Sequence, residues 1–182
     1  SSSNEKEIKN LKKIILVHMY RVIHDFKYRD INEITSYDII ANTLSNLILG
    51  NNLSTQINYI EMIIDKQVDK LGVHKTYNIL EHAKFLNNLY ELRNIFLYKK
   101  IVVTNKFEQI ILKMTSILNE YFHADGTIPL FNGANNNYTK IIHESLNNGD
   151  YLVKRSFSSV NSGIAFFSDK NKKLFFDVVQ PN

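Results

Sequence analysis

The hydrophobic period of this chain changes part-way along it. Up to about residue 123, apolar residues recur every three or four positions, the spacing of a helix face. Beyond residue 150 they alternate, the spacing of a strand. The first row is Ile8, Leu11, Ile15, Met19, Val22 and Phe26, closed by the polar Lys27-Tyr28-Arg29-Asp30. Thr35 offers an N-cap with Asp38 three residues on, in capping-box style. The stripe Tyr37, Ile40, Leu44, Leu47, Ile48 follows and ends at Gly50-Asn51. Ser54 is expected to cap a third helix carrying Ile57, Ile60, Ile64, Val68 and Leu71, with Gly72 at its stop.

A fourth helix is expected from about residue 76 to 98. Its polar stripe, Lys84, Asn87, Asn88, Glu91 and Asn94, is narrow, so it should be buried between neighbours. The fifth has the cleanest pattern, from Phe107 through Ile111, Met114 and Leu118 to Phe122. Short connections make antiparallel neighbours, in a bundle or in part of a solenoid or toroid. No repeat is clear enough to name.

At Ala124 loop chemistry takes over, in Asp125-Gly126-Thr127-Ile128-Pro129 and again in the Asn-rich 132–137, with a short helix expected near 138–146. Strands are expected at 151–157, 162–167 and 174–179, the last two as a hairpin around 169–172. The expected class is α+β: antiparallel helical hairpins followed by a few antiparallel strands. Three strands with open edges end a fold poorly, so the sequence is expected to be a piece of something longer.

The 182 residues can bury a real core, which excludes global disorder. With Cys 0 there is no disulfide scaffold, no thiolate zinc site and no cysteine nucleophile. No apolar run approaches the ~20 residues that span a bilayer, so no membrane span is expected. Residues 1–6 lack the apolar core of a signal peptide; the compartment stays open. Lys+Arg 22 against Asp+Glu 18 gives +4, spread thinly. Lys99-Lys100 and the lysines at 170–173 are too sparse for a nucleic-acid surface. His123-Ala124-Asp125 supplies two ligands without a third, His143-Glu144 lacks a zincin spacing, and no Gly-rich phosphate loop occurs, so no metal or cofactor is expected. His18, beside the first apolar row, is expected to pack there.

The most distinctive text is the junction Tyr121-Phe122-His123-Ala124-Asp125-Gly126-Thr127-Ile128-Pro129-Leu130-Phe131-Asn132-Gly133-Ala134. It resembles a segment of the heparinase II/III-like family, in which a helix runs into F-x-H-x-D-G and then L-F-N-G-A. Upstream, His74-Lys75-Thr76-Tyr77-Asn78 and the following Leu86, Leu89, Leu92-Arg93 look like the family's G-H-I-S-R-N-P stretch and its next helix. Downstream, Ser162-Gly163 and the 175–181 segment are similar to its S-G-Y … V-D-A-G-x-P pattern. Order and spacing agree from about residue 42 to 182.

The resemblance implies a helical domain at 1–123 (a partial α/α toroid), a linker at 124–149, and the beginning of a β-sandwich at 150–182. It also implies a parent lyase that cleaves uronate-containing acidic polysaccharide by β-elimination. Such a lyase neutralises the uronate carboxylate, removes the α proton, and protonates the departing oxygen. His74 and Asn78 match the family motif. Tyr77, in the place of the family Arg, and His82 lie nearby. Expected catalytic residues are thus His74, Tyr77 and Asn78, with His82, Asp125 and Asn132 on the substrate.

Other readings stand beside these. His74 and Asn78 begin and cap a helix, and Asp125-Gly126 and Asn132-Gly133 are structural turns. His74, Asn78 and His82 share one face if the helix starts at His74. Two departures weigh against activity in this chain alone. Ile79 replaces the family Pro, and Glu81 stands where lytic members carry a proton-transferring Tyr. The family's sandwich histidine is also expected beyond Asn182. The alternative function is a non-catalytic carbohydrate-binding or protein-interaction helical domain.

Overall fold

The computed structural model describes residues 2–54, 56–123, 126–129, 140, 142, 164–169 and 172–177. Five helices carry the architecture: α1 (Ser2–Tyr28), α2 (Ser36–Ile48), α3 (Ile57–Gln67), α4 (Ile79–Tyr98) and α5 (Asn105–Glu120). Two six-residue strands follow, β1 (Ile164–Asp169) and β2 (Lys172–Asp177). They pair antiparallel with each other, Ile164 opposite Asp177 and Asp169 opposite Lys172.

The α+β expectation is corrected here: the fold is helical. Among the described residues β1 and β2 form a two-stranded ribbon and nothing larger. A ribbon of two strands has no face wide enough to make a layer of its own. The expected strand at 151–157 and most of the short helix near 138–146 lie outside the described residues.

Contacts divide the chain into two units, Ser1–Ile63 and Ile64–Asn182, with the division inside α3. In the first unit, α1 packs on α2. Phe26 is buried and meets the Tyr59 ring edge-on at 5.7 Å. Thr35 caps α2 in a full capping box. Its hydroxyl donates to the Asp38 carboxylate at 2.6 Å, and the Thr35 amide donates to the same carboxylate at 2.8 Å. Arg29 donates to the other Asp38 oxygen at 2.6 Å. Burial pushes the Asp38 carboxyl up, but the Thr35 and Arg29 bonds outweigh it and hold it below the usual value. At the other end Gly50, at φ +74°, closes a Schellman motif: its N–H donates to the Leu47 carbonyl, and that of Asn51 to the Asn46 carbonyl.

Two readings of this unit need correcting. Ser54 does not cap α3, which starts at Ile57; the Asn52 side chain accepts the Ser54 N–H in a tight turn instead. His18 is exposed rather than packed, because α1 is exposed throughout residues 4–18.

In the second unit α4 packs on α5. Phe96 and Phe107, both buried, meet edge-on at 6.1 Å. Tyr90 shares a 2.5 Å hydrogen bond with the Thr115 hydroxyl, which donates to the Ile111 carbonyl at 2.7 Å. Arg93 donates to Glu108 at 2.8 Å across the same pair of helices. Of the expected polar stripe of α4, Glu91 and Asn94 are exposed and Lys84 and Asn87 half-buried, but Asn88 is buried.

Candidate functional site

Four of the six expected site residues lie in or beside the turn between α3 and α4. Val68 and His74 form an isolated antiparallel bridge. The Asp69 carboxylate accepts the N–H groups of Leu71 and Val73 at 2.8 and 2.9 Å. Tyr77 then takes φ +52°, a conformation costly for a residue with a Cβ. Asn78 is extended and caps α4, its side-chain oxygen accepting the N–H groups of Leu80 at 2.8 Å and Glu81 at 3.2 Å. The helix therefore starts at Ile79, not at His74, and His74 shares no helical face with His82. Substituting Asn78 by alanine is expected to cost about 1 kcal/mol, read as a lower thermal midpoint. An unchanged midpoint would show that the cap carries no stability.

His82 is 1% exposed. Its Nε2 lies 2.9 Å from the Met114 carbonyl, and its Nδ1 accepts the His74 backbone N–H at 3.3 Å. A carbonyl needs a donor and an N–H needs a lone pair, so the ring is the neutral Nε2–H tautomer with both nitrogens committed. Burial drives its pKa down to about 4; the Met114 bond opposes this and the neighbouring His74 adds to it. A general base must reach its proton and titrate near working pH, and a sealed imidazole does neither.

His74 is partly exposed. Its Nδ1 lies 2.8 Å from the Thr76 hydroxyl, and its ring leans on Phe85 at 5.2 Å. Burial lowers its pKa, with Glu81 pulling the other way. The structure thus brings His74 and His82 together through a backbone amide rather than across an open cleft. Asp125 and Asn132 lie outside the described residues. Among the described residues no three His, Cys, Asp or Glu side chains are grouped to hold a metal ion. No described helix is long and apolar enough to cross a membrane.

A shallow hollow in the second unit, beside Gly72, is lined by Asp65, Lys70, Lys106 and Lys113. Two of its cations are engaged: Lys106 pairs with Asp65 at 2.5 Å, and Lys113 donates to the Lys70 carbonyl at 3.0 Å.

The surface with the clearest unmet chemistry is in the first unit. An amphipathic helix normally turns its apolar stripe inward. Here α2 does so only in part. Tyr37 (60%), Leu44 (38%) and Ile48 (60%) are exposed and Ile40 and Leu47 half-buried, while the buried side carries Ile39 together with Ser36, Asn42, Thr43, Ser45 and Asn46. The buried amides satisfy one another. Asn46 donates to the Asn42 carbonyl and side-chain oxygens at 2.9 and 3.0 Å, Asn51 donates to Asn46 at 2.9 Å, and Asn42 donates to Gln56 at 3.3 Å.

The Thr43 hydroxyl, fully buried, has no hydrogen-bond partner among the described residues. Thr43→Val is therefore expected to stabilise the unit by about 1 kcal/mol, seen as a higher denaturant midpoint. A loss of stability would mean that the hydroxyl is satisfied.

On α1, Ile8 (54%), Leu11 (58%), Ile15 and Val17 are likewise exposed. Residues 14–17 are apolar on every side of the helix, a pattern normally found where a helix is enclosed. Sequence reasoning found both stripes but not their outward direction. Searched against known protein families, curated proteins and solved structures, the chain matches none.

Proposed function

We propose that this chain is a non-catalytic helical module that binds protein through the apolar faces of its first unit. The observation that carries the reading is the outer face of α2, where Tyr37, Leu44 and Ile48 are exposed, opposite a buried side that packs Ile39 and a hydrogen-bonded amide network. Contiguous exposed apolar surface of this kind marks interaction sites. The eliminative reading has no comparable observation behind it. Asn78 is occupied as a helix cap, and His82 is sealed with both ring nitrogens bonded.

The test compares the chain with Leu44→Glu/Ile48→Glu, a double variant that touches only exposed positions and should fold. Wild type is expected to retain a protein partner that the variant loses. It should also leave uronate polysaccharides uncleaved and unbound. Ultraviolet absorbance of unsaturated products, or glycan retention indifferent to the substitutions, would overturn the reading.

A further inference from the structure

We propose that the exposed face of α1 is covered by a second copy of this chain, the two α1 helices running antiparallel. This rests on the interaction reading above and names its partner.

Ile8, Leu11, Ile15 and His18 follow one another at intervals of three, four and three, the seam spacing of paired helices, and all four are exposed. Residues 4–21 extend about 27 Å at 1.5 Å per residue. A two-fold axis that sets Leu11 against the second copy's Ile15 also sets Ile8 against its His18. The same axis brings Glu7 beside the second copy's Arg21, and symmetry makes that pair twice. Both groups are available at the surface. Glu7 is exposed, and the ion pair of Arg21 with Asp25 is an exposed contact at 3.8 Å.

Two physical reasons favour antiparallel over parallel pairing. The antiparallel order aligns opposite helix dipoles. It also places the α2-bound ends of the two α1 helices apart, whereas a parallel pair would crowd both α2 helices at one end. Seven large apolar side chains from Ile8 to Tyr20 are exposed on α1, with Tyr37, Leu44 and Ile48 on α2 of the same unit.

The experiment is sedimentation equilibrium of the full chain from low to high micromolar concentration, with circular dichroism as the folding control. Wild type is expected to dimerise, and Leu11→Glu/Ile15→Glu to remain monomeric with unchanged helicity. Glu7→Lys should weaken the dimer about tenfold, and Glu7→Lys/Arg21→Glu should restore it. Restoration by Lys12→Glu instead would indicate the parallel register and overturn the antiparallel pairing. A wild-type chain that stays monomeric throughout would overturn the second copy as partner. The interaction reading would survive that result if a different protein were still lost on Leu44→Glu/Ile48→Glu. A dimer indifferent to Leu11→Glu/Ile15→Glu would likewise overturn the proposal.

Discussion

Gly72→Ala is expected to destabilise the second unit by about 3 kcal/mol, a large share of a small domain's total stability. Two costs combine. Gly72 sits at φ +95°, where a side chain is strained by about 1–2 kcal/mol. An added Cβ would also stand 2.6 Å from the Lys113 Cβ and 2.9 Å from the Lys113 carbonyl carbon, so backbone would have to move. Overpacking of this sort costs about 1–3 kcal/mol. Gly50 is the internal control. It has φ +74°, but a Cβ there meets nothing within 4 Å, so Gly50→Ala should show the strain alone, about 1–2 kcal/mol. Equal losses at the two glycines, measured by urea unfolding, would show that the approach of the turn to α5 is not tight.

Lowering the pH from 7 to 4 should remove about 3 kcal/mol through His82 alone. Its pKa falls from 6.5 in the unfolded chain to about 4 in the folded one. The unfolded state therefore binds the proton first. The stability is fully present above 6.5 and is lost as pH falls towards 4. His74, also lowered, adds in the same direction, and Asp38, held below 3.8, adds at still lower pH. His82→Gln should be less stable at neutral pH, having lost the ring's packing, but should lose most of the slope between pH 6.5 and 4. His74→Gln should keep most of it. A slope unchanged in His82→Gln would mean that His82 is not sealed.

These two expectations meet in one short segment, which shows what the sequence could and could not reveal. Asn78 as a cap was legible because cap chemistry is local; Gly72 is not a helix stop, because α3 ends at Gln67 and Gly72 lies in the turn after the Val68 bridge. The boundary at Ile79 was not legible, because Tyr77 adopts positive φ without being glycine or asparagine. The spacing of His74, Asn78 and His82 suggested one helical face. What joins two of them is a backbone amide and a ring nitrogen, and periodicity carries no signal for that contact.

The α2 stripe fails differently. Hydrophobic period locates a stripe but cannot tell which side the rest of the fold occupies. A signal was present nonetheless. Asp38 is the only charged residue in α2, and its other polar positions are serine, threonine and asparagine. Uncharged groups of that kind can satisfy one another when buried, as Asn42 and Asn46 do, whereas a lysine-rich face could not. The change of period after residue 150 did mark β structure at β1 and β2. Among the described residues that structure is a two-stranded ribbon, which alternation over six residues cannot distinguish from the edge of a sheet; the expected strand at 151–157 lies outside them.

The outward direction of the α2 stripe is the central claim, and a chain with Cys 0 allows it to be measured with one introduced thiol at a time. Native-state labelling by a thiol reagent should modify Tyr37→Cys, Leu44→Cys and Ile48→Cys at nearly the rate of the unfolded chain. Asn42→Cys and Asn46→Cys should be protected by orders of magnitude. Where self-association covers the stripe, dilution should restore the fast rates. The opposite pattern, with fast labelling at Asn42 and Asn46 and protection at Leu44 and Ile48 at every concentration, would contradict the account.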